Sequence, residues 1–325
     1  MRKQSWIRFV SAGFCLSFAL ALGLPPTASA QQSSYTITDL GPASVPGLAG
    51  ATWMGTIYTG GTYTLGINAA GDVVGASPSG AGNVHAALFR NGQVIDLGTL
   101  GGLSSEASGI NKSGLIVGNS QIASGSVHAF LYSNSVMTDL GTLGGPNSYA
   151  TAINDAGQIV GRSEISDGTT HAFLYAAGVI SDLGAGAASS INTTGQIVIN
   201  SSGVISLYTN GAMQALPQLP CPSGEFQSGA AYAINDSGEV VGDTVCASGW
   251  PLFSDRAMWV AGGQATDLAP PGIVYSAALA INASGHILGQ AISYCDGGVC
   301  EADYTSLDGA VIFQGYLTPV GSGWE

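Results

Sequence analysis

What this chain lacks first is positive charge. Of 325 residues only 7 are Lys or Arg, against 20 Asp or Glu. Arg2, Lys3 and Arg8 stand at the very start, so Arg90, Lys112, Arg162 and Arg256 are the basic side chains of everything after residue 30. All 20 acids lie in that part, and its net charge is 4 − 20 = −16. No cationic stripe remains to displace counterions from phosphates, which excludes nucleic acid as a partner. An anionic membrane surface is disfavoured for the same reason.

Long apolar runs are scarce as well. Phe9 to Leu24 is the one sustained stretch, preceded by the basic start, ended by Pro25-Pro26 and followed by Ala28-Ser29-Ala30. A basic head, a short apolar run and a small-x-small site predict a secretory signal over residues 1–30, cleaved before Gln31. The run is short of the ~20 residues a bilayer span needs. The expectation is therefore a secreted or periplasmic protein, without membrane insertion after cleavage, and monomeric. Cysteine is sparse: Cys15 falls in the apolar run, leaving Cys221, Cys246, Cys295 and Cys300. An even number in an exported chain suggests disulfides, with three connectivities open. Cys295 and Cys300 flank Asp296-Gly297-Gly298-Val299, a hairpin tip, which favours pairing them and joining Cys221 to Cys246. With no His at ligand spacing and no Cys-x-x-Cys, a metal site is not expected.

Catalytic signatures are missing too. The chain has no Gly-x-Ser-x-Gly elbow, no His-Glu-x-x-His, no phosphate loop followed by Lys and no dinucleotide fingerprint. Its 49 glycines sit at turn positions.

What is present is a repeat. Ile-Asn-x-x-Gly recurs at Ile67, Ile110, Ile153, Ile191, Ile234 and Ile281, at spacings of 43, 43, 38, 43 and 47 residues. A second marker reads His85-Ala86-Ala87-Leu88-Phe89, His128-Ala129-Phe130-Leu131-Tyr132 and His171-Ala172-Phe173-Leu174-Tyr175. Degraded copies stand at Ile205 to Tyr208, Arg256 to Trp259 and Gly309 to Phe313. A third marker, Asp-Leu-Gly, begins at Asp39, Asp96, Asp139 and Asp182, with a near copy at Asp267. Short runs rich in Val, Ile, Tyr and Phe, broken by Gly, Asn and Ser, are strands. One unit parses as Gly114–Gly118, His128–Tyr132, Val136–Leu140 and Tyr149–Asn154. Asn111, Asn154 and their counterparts read as tight turns joining the fourth strand of one unit to the first of the next.

Four antiparallel strands per unit of about 40–45 residues is the period of a β-propeller blade. The predicted fold is all-β, a propeller of six four-stranded blades over residues 31–325. Tyr35 to Leu40 would complete the last blade. The alternative is seven blades, with Gly47 to Tyr63 as a degenerate one.

The wording of the repeat resembles the bacterial extracellular HAF repeat family. The resemblance rests on His-Ala-Phe-Leu-Tyr, Asp139 to Gly145 and Ile-Asn-x-x-Gly-x-Ile-Val-Gly. It covers about residues 35 to 320 and is strongest over 85 to 175; Ile197-Val198-Ile199-Asn200 departs from it by lacking the usual Gly. It implies an exported, repeat-built bacterial protein and supplies no catalytic residues to carry over.

Recurring polar residues have two readings each. His85, His128 and His171 either converge on the axis or pair locally with a turn or with the recurrent Asp, and local pairing is favoured. Asp96, Asp139 and Asp182 either form a carboxylate ring for Ca²⁺ or cap the adjacent Leu-Gly turn, and capping is favoured, so no cofactor is expected. Ligand contacts are sought where symmetry breaks, because loops on a rigid scaffold carry function: Trp53, Trp250, Tyr294 and Tyr304 offer aromatic faces for a sugar or peptide. The favoured function is a non-catalytic exported binding or surface module for a glycan or protein partner. The alternative is a secreted polysaccharide- or peptide-degrading hydrolase or lyase using Glu225, Glu301 and Asp303.

Overall fold

The computed structural model describes residues 51–53, 56–58, 63–79, 83–221, 226–249, 252–269, 275–295, 298–306 and 311–315, with side chains over 66–79, 83–221, 227–247, 254–269 and 276–289. The chain divides into two units, Met1–Asp39 and Leu40–Glu325, and the first lies wholly outside the described residues. The expected signal segment and the strand expected over Tyr35 to Leu40 lie outside the described residues.

Every regular element among the described residues is a strand. Blade one comprises Tyr63–Ile67, Val73–Pro78, Val84–Arg90 and Gln93–Asp96. Blade two comprises Gly101–Ile110, Ile116–Ile122, Val127–Ser133 and Val136–Asp139. Blade three runs Gly144–Ile153, Ile159–Ile165, Thr170–Ala176, Val179–Ala185, and blade four Ala187–Ile191, Ile197–Ser201, Val204–Thr209, Ala212–Ala215. Blade five holds Phe226–Ile234, Val240–Gly249, Leu252–Ala261 and Gln264–Asp267; blade six holds Tyr275–Ile281, Ile287–Cys295, Gly298–Ser306 and Val311–Gly315. In each, consecutive strands pair antiparallel, and blades five and six touch edgewise through a single parallel bridge, Asp255 to Tyr275. The fold is a β-propeller with six four-stranded blades among the described residues.

Three details depart from expectation. The Ile-Asn turn is a hairpin inside one blade, between its first and second strands, not a junction between blades. Val311–Gly315 is the outer strand of blade six, and its third strand is Gly298–Ser306, so Gly309 to Phe313 is not a degraded third strand. Among the described residues that blade has four strands, and Tyr35 to Leu40 lies outside them. Among the described residues between Gly47 and Tyr63 there is a two-stranded ribbon, Ala51–Trp53 with Thr56–Tyr58, in place of the four strands of a seventh blade, and Tyr63 opens blade one.

The core lies between blades. A strand sends alternate residues to opposite faces, and here both faces are covered. Ile116 packs toward blade one with Val74, Leu88 and Phe130, while Val117 packs toward blade three with Ile159 and Phe173. Ile159 and Val160, Ile197 and Val198, and Val240 and Val241 split their neighbours in the same way. Two-sided burial is why the second strands read as unbroken apolar runs. Outer hairpins close on Asn91-Gly92 and Asn210-Gly211, both residues at positive φ, the geometry that suits the strands' twist.

Glycine at the third position of the second strand has a packing cause. A Cβ on Gly118 would sit 2.0 Å from the Glu106 carbonyl oxygen and 2.8 Å from the Phe130 ring, and one on Gly161 would sit 1.9 Å from the Tyr149 oxygen and 2.9 Å from Phe173. Each glycine pairs across the sheet with the aromatic that covers it. Blade four reverses the arrangement: Ile199 stands at the glycine position, opposite Ser206. Ile199 is buried among Val160, Ala172 and Ala188, at the interface where its neighbours place Phe130 and Phe173.

Candidate functional site

The first strands of blades one to five end at one cavity of roughly 310 Å³, lined by Ile67, Ile110, Ile153, Ile191 and Ile234 and by the asparagines that follow the first four of them. Five equivalent positions around one hollow mark it as a mouth of the propeller axis.

The asparagines hold this mouth together. Asn111 Oδ1 accepts the amides of Ser113 and Leu115, while its Nδ2 donates to the backbone oxygen of Asn154, 3.1 Å away in the next blade. The same step runs from Asn68 to Asn111, Asn154 to Asn192, Asn192 to Asn235 and Asn235 to Asn282. In several blades the other Nδ2 proton is taken by the side chain four residues on: Gln158, Gln196, Glu239 and Asp72. Only an amide of this length accepts and donates at once in that space, since Asp lacks the donor. The turn motif therefore also stitches blade to blade.

Charge enters one residue further along. Asp155 Oδ1 accepts the Lys112 amide at 3.0 Å, and Asp236 Oδ1 accepts both the amide and the hydroxyl of Thr193. Both carboxylates are exposed, and their Oδ2 atoms make no hydrogen bond among the described residues. Among the described residues lining the rim there are two acids against one cation, Lys112. Ile67 is 69% exposed, an apolar surface left open at the same place.

The recurrent histidines lie elsewhere, each at the start of a third strand. Nδ1 of His85, His128 and His171 approaches the carboxylates of Asp96, Asp139 and Asp182 to 2.8–3.0 Å. A carboxylate only accepts, so the proton sits on Nδ1. The same aspartates accept the amides of Gly98, Gly141 and Gly184. Burial pushes the Asp182 carboxyl up, but the Gly184 amide and the His171 ring together outweigh it and hold the group below its ordinary value. In blade five Arg256 replaces the histidine, with Nη1 3.0 Å from Asp267 Oδ2 at the same separation of 11 residues. Among the described residues there is no group of three His, Cys, Asp or Glu placed to hold a metal.

A second cavity of roughly 240 Å³ adjoins His85 and Asp96 and includes Ser77, the cross-strand neighbour of His85. The order Ser, His, Asp suggests nucleophile, base and orienter. The equivalent hydroxyls in blades two and three are spent on the scaffold: Ser120 accepts the Leu100 amide and Ser163 the Leu143 amide, and each donates to a backbone carbonyl. That role ties the strand serine to the segment that enters its own blade.

Blade five carries an acidic pair, Asp243 buried and Asp255 half-buried, that sequence reasoning did not single out. Tyr232 donates to Asp243 Oδ2 at 2.6 Å, and Asp255 lies diagonally across the sheet, its Oδ1 buried and unpartnered. Burial raises the Asp243 carboxyl despite the Tyr232 hydroxyl, and burial, then the Asp243 charge, raises Asp255. Burial, followed by the Asp243 carboxylate, lifts the Tyr232 hydroxyl above its ordinary range.

Cys221 and Cys246 form a disulfide that ties the segment entering blade five to its second strand. The side chains of Cys295 and Cys300 lie outside the described residues, as do those of Trp53, Trp250, Tyr294 and Tyr304. The backbone of Tyr294 pairs with Val299 and that of Tyr304 with Phe313.

No family model matches the chain, and no curated protein matches it in sequence. Solved structures match its fold. A puromycin-hydrolyzing peptidase of Mycobacterium tuberculosis superposes at a TM-score of 0.50 and 10% identity, over 79% of this chain and 44% of the peptidase. A putative TolB from Agrobacterium tumefaciens gives 0.42 and 15%, over 60% of this chain and 79% of its own. The Aleuria aurantia lectin, described as a six-bladed β-propeller, gives 0.36 and 11%, over 81% and 98%. This chain spans under half the length of the peptidase. The likeness to the peptidase is one of fold alone, and it agrees with the propeller that the chain's own geometry defines.

Proposed function

We propose that this chain is an exported, non-catalytic propeller of the HAF-repeat type that binds a glycan or protein partner at the axial mouth. One observation carries the reading. The recurring His, Asp and Ser side chains are engaged within blades and the recurring Asn side chains between them, whereas the mouth combines a cavity, an open apolar wall and carboxylate oxygens still able to accept. Concave sites with an apolar lining and a few polar groups are where ligands bind. The disulfide supports export to an oxidising compartment. A hydrolase reading would rest on Glu225, Glu301 and Asp303, whose side chains lie outside the described residues, and no observation favours it.

The test is a glycan array and a peptide array probed with the mature chain and with Ile67→Ser, a change on an exposed side chain. Ligands of the wild-type chain should bind at least about tenfold more weakly to the variant, the scale of one lost apolar contact, and should be recovered uncleaved. Ligands retained by Ile67→Ser, or cleaved on incubation, would overturn the reading.

A further inference from the structure

Resting on that reading, we infer that the mouth takes a peptide segment carrying an apolar side chain beside a lysine or arginine. The inference comes from which groups at the mouth are spent and which remain. A sugar is read through paired donors and acceptors on its hydroxyls, and the asparagines are the groups that would supply them. Asn154 and Asn192 have both Nδ2 protons and Oδ1 occupied within the protein. What remains is the isoleucine wall, exposed at Ile67, the second oxygens of Asp155 and Asp236, and the Lys112 ammonium, so the two acids outnumber the cation at the rim. Those oxygens accept only, so the ligand brings the donors, and beside two carboxylates it brings them on a cation. The net charge of 4 − 20 = −16 after residue 30 draws a cationic segment to the chain before it docks. A cavity near 310 Å³ admits a side chain or two and not a folded domain, so the occupant is an extended segment.

The experiment uses the mature full chain and fluorescein-labelled Gly-Arg-Leu-Arg-Gly, with Gly-Glu-Leu-Glu-Gly and Gly-Arg-Ser-Arg-Gly as comparisons, read by fluorescence anisotropy. The first peptide should bind and the other two should not. Asp155→Asn with Asp236→Asn keeps each Oδ1 acceptor of the rim and should weaken binding about fivefold at low salt, the scale of two exposed ion pairs. Added salt should remove that difference. Ile67→Ser should weaken binding about tenfold at either salt. Equal melting temperatures for all variants show that the loss is local. Binding of Gly-Arg-Leu-Arg-Gly that ignores the rim substitutions would mean diffuse attraction to an acidic chain and would overturn the inference. No peptide binding, with an array glycan that is lost on Ile67→Ser, overturns the peptide while leaving a binding module at the mouth. If no ligand of either kind responds to Ile67→Ser, both readings fall.

Discussion

Blade four contains an exchange that can be tested in reverse. In blades two and three a glycine on the second strand lies under a fully buried phenylalanine, whereas blade four pairs Ile199 with Ser206. If the two positions share one volume, Ile199→Gly opens a cavity and adds backbone freedom, at a cost of about 3–6 kcal/mol from the usual Ile→Ala range plus ~1 kcal/mol for glycine. Ser206→Phe alone drives a ring against Ile199, which is 2% exposed, and overpacking of this kind costs about 1–3 kcal/mol. Made together, the changes recreate the arrangement of blade three, so the double variant should be more stable than the sum of the single losses by at least ~2 kcal/mol. Contacting residues show couplings of this size, about 0.5–3 kcal/mol. Urea unfolding followed by far-UV circular dichroism gives the cycle, with the slope checked for all four proteins, since a changed slope signals loss of two-state behaviour. A coupling within ~0.5 kcal/mol of zero would refute the shared-volume argument and leave blade four as a separate packing solution.

Two further outcomes follow from buried polar groups. Asn154→Asp keeps the acceptor for Ala156 and Gln158 but loses the donor to Asn192 and buries a charge at a 5% exposed position, so it should cost about 2–4 kcal/mol in thermal or urea unfolding, while Asn91→Ala at the outer hairpin should cost far less. Asp255 is held above its ordinary value by burial and then by Asp243. A carboxyl raised in the fold stabilises it below the unfolded value and loses that contribution as pH rises through the folded value, so Asp255→Asn should raise the melting temperature at pH 7, with the gain shrinking as pH falls into the ordinary aspartate range. A gain that stays constant across that window would count against a buried charge as the cause.

Much of the architecture was legible because the repeat states its own period. The short apolar runs such as Leu115 to Val117 and the turn residues between them were enough to set strand number and pairing sense. The blade boundary was misplaced by one strand for a physical reason: a tight turn reports a reversal, and Asn154 looks the same whether the strands it joins share a sheet or not. The bonds from one asparagine to the next were hidden because their separation equals the repeat length, which makes a contact between blades indistinguishable from mere recurrence. Arg256 was more readable than it seemed, since it precedes Asp267 by the same 11 residues that part His128 from Asp139. The axial mouth is built from isoleucines that keep the symmetry of the repeat, so the aromatic residues that break it do not point there. The acidic pair in blade five has no local signature, because Asp243 and Asp255 meet only when two strands are laid in register.

Four of the turn asparagines also open the triplets Asn111-Lys112-Ser113, Asn192-Thr193-Thr194, Asn235-Asp236-Ser237 and Asn282-Ala283-Ser284. Each fits the acceptor pattern for N-linked sugar. A cell that decorates nascent chains during translocation would attach bulky groups to amides that three of these positions bury to 5% exposure or less once folded. Yeast or insect secretion would then yield chains unable to assemble their axis, and a bacterial periplasm is the host in which this protein should be made.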